Sequence, residues 1–305
     1  VTILSFGGPK VLTVADLPVP EPGRGEVRIR VQAAAIHPLD IVARSGFLGP
    51  MLPLGPRYVL GADVAGVVDA IGPSVTDFSI GQSVVGMSNW PDTKVGTQAE
   101  YVVLPTEVLA SAPMAVEPAP AATLPLNALT ARQALDILDL SAGQTLAVTG
   151  AAGGVGGFAV ELARHRGLKV IGVAGPQDEE FLTGLGADFV ERSEDPGAAI
   201  RKAARAGVDG VLDSAAIGAV VLAGVRDGGA YVGVTPPSPP ESVRGIRTGV
   251  VLARGLRSQL TELVELVEQG RITLRAPRTY PIESVAEAHT TLAKGGVRGG
   301  VVLIP

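Results

Sequence analysis

Apolar and polar positions change rhythm once along this chain. Up to about residue 110, short strand-like runs (27–33, 64–71, 83–87 and 99–104) are separated by Gly and Pro, the last ending at Pro105. From about Pro125 the texture becomes an alternation. Helical spacing over 130–140 stops near Gly143; strands are then expected at 145–149, 169–174, 188–190, 208–213 and 230–234, with helices at 154–166, 177–184 and 197–206. Continuous apolar strands suit a sheet covered on both faces, so this part predicts an α/β fold with a doubly wound parallel sheet. The Pro-rich segment 235–240 is expected as a loop over the sheet edge. Beyond it, 259–269 is an amphipathic helix, 282–294 a helix and 301–304 a strand. There is no internal repeat.

The turn after the first of these later strands carries the clearest chemistry. Residues 148–157 read V-T-G-A-A-G-G-V-G-G, and behind them Val155, Phe158, Ala159, Leu162 and Ala163 recur at helical spacing. With the run 169–174 this forms a βαβ unit. Glycines there permit a tight turn and close backbone approach, while the helix start attracts phosphate charge. Against the G-x-G-x-x-G pattern, Ala151 takes the first place and Gly153 and Gly156 the others. The second strand runs into G-V-A-G-P-Q at 172–177, with no carboxylate at its tip to accept from a ribose hydroxyl. A 2′-phosphate would meet no repulsion, and Arg192 in the next βα loop either offers a planar fork to it or is a solvated surface arginine. The expected cofactor is therefore NADPH rather than NADH.

Composition narrows the partners. A chain of 305 residues, 46% hydrophobic, supports two domains or one large one. Apolar stretches are interrupted before a membrane span's length and no secretory signal is visible, so a cytoplasmic protein without membrane association is expected. Net charge of −5 argues against general nucleic-acid binding. Cysteine is absent, which removes disulfides, thiolate zinc sites and a cysteine nucleophile. The three histidines, His37, His165 and His289, have no metal-ligand spacing; the last two are expected to be structural or surface residues.

The first half supplies an ordered series: F-G-G-P at 6–9, L-P-V-P-E-P at 17–22, I-H-P-L-D at 36–40, G-A-D-V-A-G-V-V at 61–68 and I-G-Q-S-V-V-G at 80–86. L-N-A-L-T-A at 126–131, the glycine loop, G-L-G-A-D at 184–188 and G-V-V-L at 300–303 follow. The series resembles the medium-chain dehydrogenase/reductase superfamily, in its zinc-independent quinone oxidoreductase (zeta-crystallin-like) branch. The resemblance implies a β-rich GroES-like catalytic domain over 1–115, a Rossmann domain over 116–255 and a return to the catalytic domain over 256–305, with the cofactor in the interdomain cleft. Where zinc-dependent relatives carry ligands, this chain has Ala62 and the region of Pro38, so no catalytic metal is expected.

By the same resemblance, Gly153, Gly154, Val155 and Gly156 would surround the pyrophosphate, with Thr130 near the nicotinamide. Arg192, Ser214, Gly233 and Val234 would complete the cofactor site. His37 and Asp40 stand where the family usually reads Asn-Pro-x-Asp, beside substrate and nicotinamide. Exchanging the amide for an imidazole brings a group that titrates near neutral pH, so His37 is a candidate proton donor, the alternative being a hydrogen-bonded residue fixing its turn. Asp40 is catalytic or anchors its own loop. Phe47, Met51, Asn89, Trp90, Leu126 and Asn127 are the candidate substrate-binding residues, Trp90 being either an aromatic wall or a loop anchor. The implied activity is NADPH-dependent hydride transfer to a small-molecule quinone or α,β-unsaturated carbonyl. The alternatives are an enoyl reductase on thioester-linked chains and an NADPH-binding structural or regulatory protein with little turnover. The family also implies a homodimer.

Overall fold

The computed structural model describes residues 1–49, 52, 57–234 and 239–305, and they fall into two compact units. The first comprises 1–126, 254–270 and 274–305; the second comprises 127–253 and 271–273.

The first unit is built on strands. β1 (Thr2–Ile3) pairs antiparallel with β3 (Tyr58–Val59). β2 (Glu26–Ile36) is the long central strand of a seven-stranded sheet that also contains β4 (Asp63–Ile71), β5 (Ser83–Met87), β6 (Tyr101–Pro105) and β7 (Leu109–Ser111). Alternate residues of these strands, among them Val27, Ile29, Val64, Val84, Val102 and Leu104, meet in one core. Between β2 and β3 lies α1 (Pro38–Ser45), a helix with clear stop signals at both ends. His37 is extended (φ −125°, ψ 162°), Pro38 is preset for the first turn, and Gly46 closes the helix at φ +84°. The short helices α2 (Trp90–Thr93) and α3 (Pro118–Ala121) follow.

The helix α4 (Pro125–Leu138) carries the chain into the second unit, starting earlier than the helix expected from residue 130. Its parallel sheet is β8 (Thr145–Thr149), β9 (Lys169–Ala174), β10 (Asp188–Glu191), β11 (Val208–Asp213), β12 (Val225–Gly233) and β13 (Arg247–Val250). Spatial order is β10-β9-β8-β11-β12-β13, a Rossmann arrangement. The helices α5 (Gly154–His165), α6 (Glu179–Gly184) and α7 (Pro196–Ala203) make the crossovers on one side of β8 and into β11. Winding goes outward from β8 to β10, then returns to β11 and runs the other way. The switch point thus lies between β8 and β11, where ligands of such sheets bind beyond the strand ends. The expected loop at 235–240 has residues 235–238 outside the described residues.

The chain then re-enters the first unit through α8 (Arg257–Glu268), and supplies β14 (Arg278–Pro281), α9 (Val285–Lys294) and β15 (Val301–Ile304). β15 lies between β14 and β2, antiparallel to β2 with Val301 opposite Ile36.

Candidate active site

In the first unit, the strand–helix junction at His37 and the start of β4 meet in a buried polar network. Asp40, three residues into the junction, turns its carboxylate back: Oδ2 accepts from the His37 backbone N–H (2.8 Å) and Oδ1 from that of Gly61 (3.0 Å). One side chain thus ties the two backbones together. Above it the His37 imidazole Nε2 lies 2.8 Å from Asp63 Oδ2, and the other Asp63 oxygen accepts from the Leu126 N–H at 2.8 Å, in the first turn of α4. Thr97 donates its hydroxyl to the Asp63 carbonyl (2.7 Å), and Gly61, at φ +105°, leaves no room for a Cβ beside that hydroxyl. His37, Asp40 and Asp63 are all buried.

Burial pushes the Asp63 carboxyl up, against the His37 charge, its hydrogen bond and the Leu126 amide. In its ionised form it only accepts, so the hydrogen between His37 and Asp63 then belongs to Nε2. Burial opposes a charge on His37, but the Asp63 carboxylate, its hydrogen bond and the more distant Asp40 outweigh it and raise the imidazole's pKa. Burial likewise pushes Asp40 up to about 6, against the His37 charge and its two amide bonds. The group can therefore hold and release protons near neutral pH.

Around it, Phe47 projects into solvent just past the Gly46 turn, 72% exposed, while Met51 lies outside the described residues. Asn89 and Trp90 are committed to the scaffold. Asn89 Oδ1 accepts from Gly255 N–H (2.9 Å); Trp90 is 1% exposed, packs with Ile36, Tyr58 and Leu60, and donates Nε1–H to the Val59 carbonyl (2.6 Å). Of the two roles considered for Trp90, this placement is the anchor. Leu126 contributes its backbone to Asp63 and is half-buried.

In the second unit, α5 begins at Gly154 with Gly153 as its cap residue, and no side chain caps it. Its first-turn N–H groups are thus free to face an anion. Gly150, at φ +60°, turns the chain out of β8, and a Cβ on Gly156 would lie 2.2 Å from the Gly150 carbonyl oxygen. That close approach demands glycine. Asn127 closes over the loop: a Cβ on Gly154 would sit 3.0 Å from its amide. Thr130, on the same helix as Asn127, is buried.

Asp213 at the end of β11 is a hub unforeseen in its extent. Its carboxylate accepts from Thr149 Oγ1 (2.5 Å), Tyr231 OH (2.8 Å), Ile217 N–H (3.2 Å) and Gly218 N–H (2.8 Å). Ser214 spends its hydroxyl on the Thr149 carbonyl (2.5 Å), bracing the glycine turn. Gly233 is buried at the end of β12 and Val234 half-buried beyond it. Arg192 is exposed just past β10, its N–H on the Ala174 carbonyl at the tip of β9 (2.7 Å). The only carboxylate of the following turn that is buried, Asp178, is held by Gln177 (3.1 Å).

The cradle fits a dinucleotide: free amides, glycines that a side chain would displace, and strand ends at the switch point. Ala62, at the position of a ligand in zinc-dependent relatives, presents a buried methyl group, and among the described residues no group of three or more His, Cys, Asp or Glu is arranged to hold a metal ion. Of the other histidines, His165 is exposed on α5, while His289 is wholly buried on α9. No helix among the described residues is long and apolar enough to cross a membrane.

Asp63 was not anticipated as a site residue. Its G-A-D motif is visible in the sequence, but its partners lie far away along the chain.

Known proteins agree with this architecture. Residues 23–114 match the family described as alcohol dehydrogenase GroES-like domain, and 185–303 that described as zinc-binding dehydrogenase. The chain is 30% identical to a quinone oxidoreductase of Pseudomonas aeruginosa, over 99% of this chain and 98% of that protein. It is 31% identical to an NADPH-dependent alkenal/one oxidoreductase, chloroplastic, of Arabidopsis thaliana, over 98% of this chain and 78% of that one. A crystal structure of an NAD-dependent alcohol dehydrogenase superposes with a TM-score of 0.86 at 34% identity, covering 100% of this chain and 99% of the other. The chain belongs to the medium-chain dehydrogenase/reductase superfamily, in its quinone oxidoreductase-like branch.

Proposed function

We propose that the protein reduces quinones or α,β-unsaturated carbonyls with NADPH and without a catalytic metal. The observation that carries this reading is the uncapped glycine start of α5, shaped for a pyrophosphate at the switch point of the sheet. Gly153, Gly154, Val155 and Gly156 would hold the pyrophosphate, with Thr130, Ser214, Gly233 and Val234 along the rest of the cofactor. When bound, the nicotinamide supplies a hydride to the acceptor. The chain's own part is the proton. Hydride addition leaves an oxyanion or enolate on the acceptor, and His37 donates to it from Nδ1, because Nε2 is engaged by Asp63. Asp40 keeps His37 and Gly61 in register. Phe47 and Leu126 would offer apolar surface to a flat acceptor.

Arg192 selects the cofactor. Its backbone N–H is bonded to the Ala174 carbonyl at the tip of β9, where the ribose would lie, and the buried Asp178 carboxylate accepts from Gln177. The name of the Arabidopsis relative agrees with NADPH, that of the NAD-dependent neighbour does not. Nucleotide oxidation by the purified protein, NADPH against NADH, across quinones, enones and enoyl thioesters, decides the matter. The expected result is turnover with a quinone or enone and a KM for NADPH raised about tenfold by Arg192→Ala with NADH unaffected, since one phosphate contact is lost. Tight NADPH binding without turnover on any acceptor would overturn the reductase reading. The free edge of β13, paired among the described residues only with β12, would serve a homodimer; sedimentation tests it.

A further inference from the structure

We propose that Asp63 is a positioning residue, whose carboxylate fixes the His37 imidazole in the Nε2–H tautomer and keeps its transferable proton on Nδ1. This rests on the reading of His37 as proton donor, which it deepens.

The argument starts from what the two oxygens of Asp63 must do. Both bonds are 2.8 Å, one to Nε2 of the buried His37 and one to the amide of the half-buried Leu126. The Leu126 N–H lies in the first turn of α4 and has no acceptor within the helix, so it claims one oxygen of the side chain at position 63. Burial raises the Asp63 pKa, while the His37 charge and hydrogen bond, the Leu126 amide and the partial positive charge of the α4 start act in favour of the ionised carboxylate. The second oxygen then faces Nε2, and an acceptor in that place requires Nε2 to carry hydrogen in the neutral and the charged ring alike. Only Nδ1 changes its protonation. The charged groups acting on the ring are Asp63 on β4 and Asp40 on α1, both acidic, so the cation is favoured from both elements. The Asp40 carboxylate reaches only backbone, and the His37 side chain also faces the Asp40 backbone N–H in a capping box at the start of α1, so among the described residues Asp63 is the side chain hydrogen-bonded to the ring.

Asp63→Asn separates this role from a packing role, because the amide is nearly isosteric. With its oxygen kept by the Leu126 amide, the new side chain presents NH2 to Nε2, which must then accept. The neutral ring switches to Nδ1–H and resists protonation. The experiment is nitrogen-15 NMR of the histidines in the full chain without nucleotide, assigned with His37→Asn, followed by pH profiles of turnover. The wild-type neutral ring is expected as Nε2–H and the variant as Nδ1–H with a lower His37 pKa. kcat should fall roughly 100-fold, the scale of general acid catalysis, while NADPH affinity and KM for nucleotide stay within about twofold. An Nδ1–H tautomer in the wild-type protein would overturn the proposal without any variant being needed. So would an Asp63→Asn protein that keeps the wild-type tautomer and pH profile. If instead His37→Asn turns over like wild type while the tautomers behave as described, the proton-donor reading fails and the control of the ring by Asp63 stands.

Discussion

His289 shows what a single buried ring does to the energetics. It is fully enclosed on α9, neither nitrogen has a hydrogen-bond partner among the described residues, and burial, aided by the charge of Arg44, lowers its pKa to about 4. The unfolded chain therefore binds this proton first, near pH 6.5, and the folded one only near 4. Stability from the neutral ring is complete above the unfolded value and is lost as pH falls from there towards 4. Between pH 7 and 5 this amounts to about 2 kcal/mol. Asp40 acts in the opposite sense, since its raised pKa stabilises the fold as it protonates. The readout is thus a difference: His289→Phe, which cannot titrate, should gain about 2 kcal/mol on wild type between pH 7 and 5 in urea unfolding. At this scale the sequence was informative about candidates and silent about partners. His37 and Asp40 stand out by departing from or matching a motif, whereas the His37–Asp63 bond joins residues 26 apart with no periodic trace. Trp90 shows the same limit, for wall and anchor differ only in packing.

Among the elements, the ends of β8, β11 and β12 are stapled by one carboxylate, Asp213, through Thr149 and Tyr231. Burial and the neighbouring Asp213 charge raise the Tyr231 pKa, so the phenol remains a donor at any physiological pH. Tyr231→Phe removes one hydrogen bond to a charged group and should cost about 1.5–3 kcal/mol in urea unfolding. The glycine turn would lose part of its brace, seen as weaker NADPH binding in titration. The strands and the glycine turn were legible because buried parallel strands are apolar throughout and the turn between strand and helix is rich in glycine. α1 was missed, although Pro38, Asp40 and Gly46 are its start and stop signals. An eight-residue helix between strands gives too few turns for periodicity to show.

Over the whole molecule, binding should divide along the units. Every cofactor residue assigned by the proposal lies in 127–253, so NADPH at 100 times its dissociation constant should stabilise that unit by about 2.7 kcal/mol. Hydrogen exchange with and without NADPH would show protection concentrated at 150–157 and 213–218; protection spread evenly over the chain would contradict the assignment. The β-rich part and the Rossmann sheet were legible from the change of rhythm near residue 125. The boundary itself was not, because α4 passes through it as an unbroken helix and its first turn serves the carboxylate of Asp63.

β15 gives this order a consequence during synthesis. It is made after the whole of the second unit, yet it lies inside the sheet of the first, paired with Ala34, Ala35 and Ile36 immediately before His37. On the ribosome the Rossmann unit can complete its sheet while the 34–36 end of β2, beyond the part paired with β6, still presents a bare edge to other chains. The segment that carries His37 gains its last neighbour only when residues 301–304 emerge, so reductase activity should appear late, after nucleotide binding.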